Sequence, residues 1–134
     1  ALTRKIGIAS EAVQFAGGSG LSRETLVTPD AVMKLLQFNA RAPYFQAFYE
    51  ALPIAGVDGT LADRFHNTPL QGRIHAKTGS LEHVNALSGY MNLPGQRRLA
   101  FVIIGNHHPL HWSQATKVID QIALEIYRRF AYRR

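Results

Sequence analysis

The sequence predicts an α+β fold in which helices precede an antiparallel sheet of about three strands, and a C-terminal amphipathic helix packs on that sheet. Three observations predict it. Apolar residues recur at helical spacing between residues 29 and 52, the period switches to two from Gly72, and helical spacing returns after residue 111. The strand candidates are joined by connections too short for parallel crossovers, so their neighbours are antiparallel. With no internal repeat and no linker, the 134 residues read as a single domain with enough chain to bury a core.

The elements follow in order. Gly17, Gly18 and Gly20 mark a flexible loop. Thr28-Pro29-Asp30 then reads as an N-cap, a first-turn proline and an early acid. A helix over about Pro29–Ala40 follows, with Val32, Leu35, Leu36 and Phe38 expected on its inner side. Pro43 opens a second helical piece, "PYFQAFYEAL", whose Phe45, Phe48, Tyr49 and Leu52 recur at core spacing. "LPIAGVDGT" is a turn-rich connection and "TLADRFHNTPLQG" holds one short helix.

From Gly72, Arg73, His75 and Lys77 fall on one strand face and Ile74 and Ala76 on the other, with Lys77 expected at the strand's end. "VNALSGYMNL" and "RLAFVIIGN", separated by the turn "LPGQRR", are the next strands. The closing segment, "HWSQATKVIDQIALEIYRRFAYRR", carries Val118, Ile119, Ile122, Ile126 and Phe130 on an expected inner face.

Composition narrows the function classes. The chain is 46% hydrophobic and 18% charged, with no apolar run long enough for a membrane span and no low-complexity tract. Fifteen Lys and Arg against nine Asp and Glu give a net charge of +6, which suits nucleic acid, an anionic envelope polymer or an anionic surface. Part of that excess, Arg128, Arg129, Arg133 and Arg134, complements the dipole at the end of the last helix, so no nucleic-acid partner is expected. Zero cysteines exclude disulfides, thiolate metal sites and cysteine nucleophiles. The opening "ALTRKIGIAS" has neither an initiator Met nor an apolar export segment, so the chain is expected to be processed or cut from something longer.

The stretch "HAKTGS" carries the most chemistry. A Lys77 ammonium in a cleft supplies positive potential, and the Thr78 and Ser80 hydroxyls can hold a carboxylate. Gly79 allows close backbone approach, and the Ser80 amide can donate to a developing oxyanion. In serine acyl-transfer enzymes that react with β-lactams, K-T-G accompanies S-x-x-K and S-D-N. Here Ser10, Ser19, Ser22, Ser80, Ser88 and Ser113 all lack a Lys three residues on, and no S-x-N occurs. This chain alone cannot run that chemistry.

Three blocks in order, "GGSGLSRETLVTP", "LPIAGVDGTLADRF" and "GRIHAKTGSLEHVNALSGYM", resemble the C-terminal part of D-alanyl-D-alanine carboxypeptidases/endopeptidases of the low-molecular-weight class C penicillin-binding proteins. The resemblance implies part of a β-lactamase/transpeptidase-like fold in an exported serine hydrolase of the periplasm or cell envelope. Its partners are peptidoglycan peptides and β-lactams, and no cofactor or metal is implied. Lys77 and Ser80 match catalytic positions: the lysine serves proton transfer and carboxylate attraction, and the Ser80 amide forms half of an oxyanion hole. Thr78, Gly79 and Ser80 match substrate-binding positions, and Leu21 and Arg23 border the substrate side-chain pocket. Gly17 stands where the family carries Asp.

A chain lacking the N-terminal strands of that fold is expected to expose a strand edge and to self-associate. The rival reading is a non-catalytic peptidoglycan or anionic-polymer binding module, favoured by Gly17, the missing nucleophile and the charge.

Other candidates have plainer readings. His107, His108 and His111 have no flanking acid and read as a surface loop entering the last helix, not as metal ligands. His75, two residues before Lys77, is either a proton carrier or wall of the substrate cleft or a product of strand alternation. Asp58 and Asp63, with Arg64, read as capping and pairing around the short helix. "GGSGLSR" lacks the spacing and lysine of a phosphate loop.

Overall fold

A computed structural model describes residues 2–133; Arg134, assigned above to the basic tail, lies outside them. A short N-terminal helix, α1 (Leu2–Lys5), leads to two small strands, β1 (Val13–Gln14) and β2 (Leu26–Val27), that pair antiparallel at the base of the glycine loop. Helices α2 (Pro29–Asn39) and α3 (Phe45–Glu50) follow. Strands β3 (Ile74–Leu81), β4 (Val84–Leu93) and β5 (Arg97–Asn106) then form an antiparallel sheet in the order β3-β4-β5, and α4 (Trp112–Ala131) closes the chain. The expected α+β arrangement is therefore the observed one.

The helix ends are made as the sequence dictates. Thr28 Oγ1 accepts from the Ala31 amide at 3.2 Å, Pro29 fills the first turn, and Lys34 pairs with Asp30 at 2.8 Å. The amide of His111 donates to Gln114 Oε1 at 3.3 Å, and its Nδ1 faces the Ser113 amide at 3.4 Å, which fixes the start of α4. Arg97 at the start of β5 donates to the carbonyls of Ala131 at 2.8 Å and Arg133 at 3.0 Å. It supplies the cation and the donors that a helix C-terminus lacks, and so ties α4 to the sheet.

The two sheet faces carry separate cores. On one, Ile74, Ala76, Leu87, Met91, Phe101 and Ile103 pack against α4; on the other, Tyr90, Ala100 and Val102 meet Leu36 of α2 and Tyr49 of α3. Tyr90 crosses into the second core and donates from its hydroxyl to the Leu36 carbonyl at 2.7 Å, and burial pushes its phenol up to about 12. Arg64, expected to pair near its own helix, instead reaches Asp120 of α4, where both side chains are mostly buried.

Two helix faces differ from expectation. The buried stripe of α4 is Ala115, Ile119, Ala123, Tyr127 and Ala131, while Val118 and Ile122 are 44% and 42% exposed and Ile126 and Phe130 are only partly buried. Small residues at every eighth position let the helix approach the sheet closely, so the alanine stripe faces inward and the bulkier neighbours flank it. On α2, Ala31, Leu36 and Asn39 are buried, whereas Leu35 and Phe38 are exposed because no described element covers that flank.

Candidate active-site edge

Strand β3 does not end at Lys77. It runs on through Thr78, Gly79 and Ser80 to Leu81, and the turn falls at Glu82-His83, where His83 takes φ 62°. The expectation of a strand end at the lysine fails because the residues after it are paired in full register with β4: Lys77 with Ser88, Thr78 with Leu87, Gly79 with Ala86 and Ser80 with Asn85.

Register determines what each residue offers. Antiparallel ladders alternate hydrogen-bonded and non-bonded pairs, and Asn92 donates to the Arg73 carbonyl at 2.9 Å, so odd-numbered residues of β3 bond to β4. Even-numbered residues turn their amides and carbonyls to the outer edge. Segment 53–55 takes up the first of these: Ala55 donates to the Ile74 carbonyl and Ala76 to the Pro53 carbonyl, both at 3.0 Å. That cover stops at Ala76, and the ladder then directs the backbone groups of Thr78 and Ser80 away from the sheet.

Side chains divide by the same parity. His75, Lys77 and Gly79 lie on the α2/α3 side, and Thr78 and Ser80 lie on the α4 side. Lys77 is exposed and donates from Nζ to the Thr78 carbonyl at 2.7 Å. Thr78 Oγ1 bonds Thr60 Oγ1 at 3.0 Å, and Ser80 Oγ accepts from Asn85 Nδ2 at 3.0 Å. A shallow cavity of about 180 Å³ lies beside these hydroxyls, lined among others by Thr60, Arg64, Thr116 and Trp112. Thr60, Asn85 and Trp112 escaped the sequence reading; the first two stand in the quoted blocks, but nothing in the sequence marks them as partners of Thr78 and Ser80.

Glycine at position 79 is not a demand of the fold. A Cβ there would meet only Ala86 Cβ at 3.5 Å, an ordinary contact. Gly89 on β4 is the opposite case, since a Cβ would stand 2.2 Å from the His75 carbonyl oxygen. The close approach of β3 and β4 therefore requires glycine at position 89 and not at position 79.

The remaining candidates are distributed unevenly. Arg23 pairs with Glu82 at 2.8 Å, which brings the glycine loop to the tip of the β3–β4 hairpin, and both partners are exposed. Leu21 is 72% exposed in the same loop. His75 is engaged by packing: its ring stacks on Tyr49 at 3.9 Å between centroids, with Nδ1 3.3 Å from the Tyr49 carbonyl. Asp58 Oδ1 accepts from the Ile54 amide at 2.7 Å, fixing the bend of segment 53–55. Among the described residues no cluster of three or more His, Cys, Asp or Glu could hold a metal, and no helix is long and apolar enough to cross a membrane.

Burial lowers the pKa of His75 from 6.5; the Tyr49 carbonyl raises it, the Arg98 charge lowers it and Asp58 raises it, and burial dominates. The folded state thus favours the neutral ring. The stability this contributes is present above pH 6.5 and is lost as pH falls through the lowered folded value. Melting temperatures measured across pH 5–7 are expected to fall less steeply toward acid for His75→Phe, which keeps the stack on Tyr49 without a titrating group. An unchanged acid slope would remove His75 as its source.

Residues 1–126 match the D-Ala-D-Ala carboxypeptidase 3 (S13) family. Over 108 residues the chain is 43% identical to the D-alanyl-D-alanine carboxypeptidase of Actinomadura sp. (strain R39), covering 77% of this chain and 20% of that protein. Among solved structures, penicillin binding protein 4 of Haemophilus influenzae superimposes with a TM-score of 0.78 at 32% identity, over 97% of this chain and 30% of that one. The same protein complexed with a β-lactam gives 0.81, over 94% and 31%. The chain spans about a fifth of the length of the curated relatives it matches.

Proposed function

This chain belongs to the D-Ala-D-Ala carboxypeptidase 3 (S13) family, and on that premise we propose that residues 1–134 are a single domain that forms the C-terminal portion of a penicillin-binding catalytic domain in a longer serine D-Ala-D-Ala carboxypeptidase/endopeptidase of the cell envelope. The longer protein's serine attacks the carbonyl carbon of the terminal peptide bond of a peptidoglycan stem or cross-link, the C–N bond breaks and the protonated amine departs, and water hydrolyses the resulting acyl-enzyme ester. β-Lactams enter as substrate mimics. This chain supplies one wall and is inactive by itself, since none of its serines is followed by the required lysine.

The observation that carries the reading is the open stretch of the β3 edge beyond Ala76. An extended substrate peptide lies along it as an added strand, bonded to the outward backbone groups of Thr78 and Ser80. The Ser80 amide donates to the oxyanion of the tetrahedral intermediate, and the Thr78 and Ser80 hydroxyls take the terminal carboxylate. Thr60 accepts from Thr78 at 3.0 Å, and because hydroxyl hydrogens rotate, that bond reverses when Thr78 must donate outward. Lys77 provides the cationic end of the site and a route for the proton. Leu21 and Arg23 border the substrate side chain from the hairpin tip, and His75, stacked on Tyr49, walls the strand face beneath Lys77.

Gly79→Ala tests the reading, because the fold tolerates the added methyl. Its melting temperature is expected to stay within a few degrees of the native value, while penicillin acylation of the longer protein falls at least ~10-fold through obstruction of the approaching ligand. Undiminished acylation would remove the edge from the site. If the longer protein carries no S-x-x-K serine and takes up no label at all, the chain is instead a non-catalytic peptidoglycan or anionic-polymer binding module.

The isolated chain self-associates on this reading. Among the described residues nothing pairs with the outer edge of β5, and Val118, Ile122, Leu35 and Phe38 are exposed. Sedimentation is expected to give dimers or larger species at high concentration, and a clean monomer would contradict it.

A further inference from the structure

Behind the β3 edge lies an inner layer of polar side chains that no catalytic step above uses. Asn85 faces Ser80 across the β3–β4 pair and is 4% exposed. Its Nδ2 is 3.0 Å from Ser80 Oγ, and its Oδ1 is 2.9 Å from His108 Nε2. Residue 108 is held in place through its backbone: its amide donates to the His83 carbonyl at 3.3 Å, and its own carbonyl lies 3.0 Å from His83 Nδ1. The other ring nitrogen of His108, Nδ1, is buried and meets no hydrogen-bond partner among the described residues.

That unpartnered nitrogen fixes the direction of the whole chain of bonds. Nδ1 is left unpartnered in either tautomer, but a buried N–H without an acceptor is a rarer arrangement in folded proteins than a bare acceptor, which favours the tautomer with no hydrogen there. The ring hydrogen therefore sits on Nε2 and donates to Asn85 Oδ1. With its oxygen taken, the Asn85 amide can only turn its NH₂ toward Ser80. Ser80 Oγ accepts from inside the fold, and its own hydrogen is left to point outward. A carboxylate offers acceptors only, so it is held by a hydroxyl whose hydrogen is free and repelled by one whose hydrogen is spent inward.

We propose that Asn85 and His108 are positioning residues that set Ser80 as an outward hydrogen-bond donor, so that the site selects ligands ending in a carboxylate. The proposal deepens the acyl-transfer reading and rests on it for the identity of the ligand. Without the His108 donor the Asn85 amide is free to turn over, present Oδ1 to Ser80, and draw the hydroxyl hydrogen inward. Selectivity for the charged terminus is then lost while the remainder of the edge stays intact.

Two measurements test it. Long-range ¹H–¹⁵N correlation on this chain is expected to find His108 with its hydrogen on Nε2, and a hydrogen on Nδ1 would overturn the proposal. In the longer protein, acylation by a penicillin free acid is compared with acylation by its methyl ester. His108→Phe is expected to lower the acid-to-ester rate ratio ~10-fold or more, the worth of one hydrogen bond to a charged group. Asn85→Leu is expected to do the same, and His108→Gln, whose amide NH₂ reaches the Nε2 position, to restore the ratio to within ~3-fold of native. Because each variant supplies its own ester control, partial misfolding lowers both rates together. Equal losses on acid and ester in both variants would reduce the pair to a structural role and overturn the proposal. A native protein that reacts with neither ligand sinks the acyl-transfer reading instead, and the His108 tautomer then decides the inner layer by itself.

Discussion

Lys77→Ala in the longer protein is expected to slow penicillin acylation by about 10²- to 10⁴-fold, the range over which a positioned proton-transfer group acts. Structurally the substitution is mild. Lys77 is exposed, and the one side-chain hydrogen bond it makes is the 2.7 Å contact to the neighbouring Thr78 carbonyl. Its backbone pairs with Ser88 whatever the side chain. The melting temperature should therefore hold while the chemistry collapses, and that divergence marks a residue kept for function. Lys77→Arg separates the two duties of the ammonium. Arg retains the charge that draws the carboxylate but does not give up a proton, so initial binding should recover further than the acylation rate. Acylation of Lys77→Ala at the native rate would remove this lysine from the mechanism.

The largest expected effect on stability comes from Gly89→Ala. A Cβ on residue 89 would lie 2.2 Å from the His75 carbonyl oxygen, 2.6 Å from Ala76 Cα and 2.8 Å from Ala76 Cβ. Two of these three are backbone atoms of the pairing strand, so no side-chain rotation relieves the clash. The strands must separate at the centre of the ladder that carries Lys77, Thr78 and Ser80. Overpacking of this kind costs about 3 kcal/mol, which for a domain of this size lowers the melting temperature by about 10 °C. A variant that melts within 2 or 3 °C of the native chain, roughly the effect of under 1 kcal/mol, would show that the β3–β4 approach is looser than the structure has it. Gly79→Ala, ten residues earlier, should move stability little and chemistry much, so the two glycines form a paired test of which one the fold requires.

The sheet was the most legible part of the molecule. Alternation from Gly72 onward and the Pro94-Gly95 turn are local signals, and the antiparallel strands they imply are the ones that form. The helix faces were less legible because burial there depends on closeness as well as on hydrophobicity. Ala115, Ala123 and Ala131 look unremarkable in sequence, yet they allow α4 to lie against the sheet and turn Val118 and Ile122 outward. The end of β3 is hidden from the sequence for a similar reason: Thr78, Gly79 and Ser80 suit a turn by composition, and only their pairing with Leu87, Ala86 and Asn85 extends the strand.

The K-T-G-S motif groups Lys77, Thr78, Gly79 and Ser80 in the sequence, and the four lie consecutively on β3. Sequence gave no means of knowing that parity divides their side chains between two faces while turning the Thr78 and Ser80 backbone outward together. Arg64 reaching Asp120, Thr60 meeting Thr78 and His108 backing Asn85 join residues far apart in the chain, and such contacts leave no short-range trace.

The structure of the longer protein after reaction with penicillin tests the role of the β3 edge most directly. The expected result is an adduct lying along β3 with its acyl carbonyl oxygen about 2.7–3.1 Å from the Ser80 amide nitrogen and its carboxylate between the Thr78 and Ser80 hydroxyls. An adduct whose carbonyl points away from β3, or whose carboxylate is held by residues of another element, would contradict it.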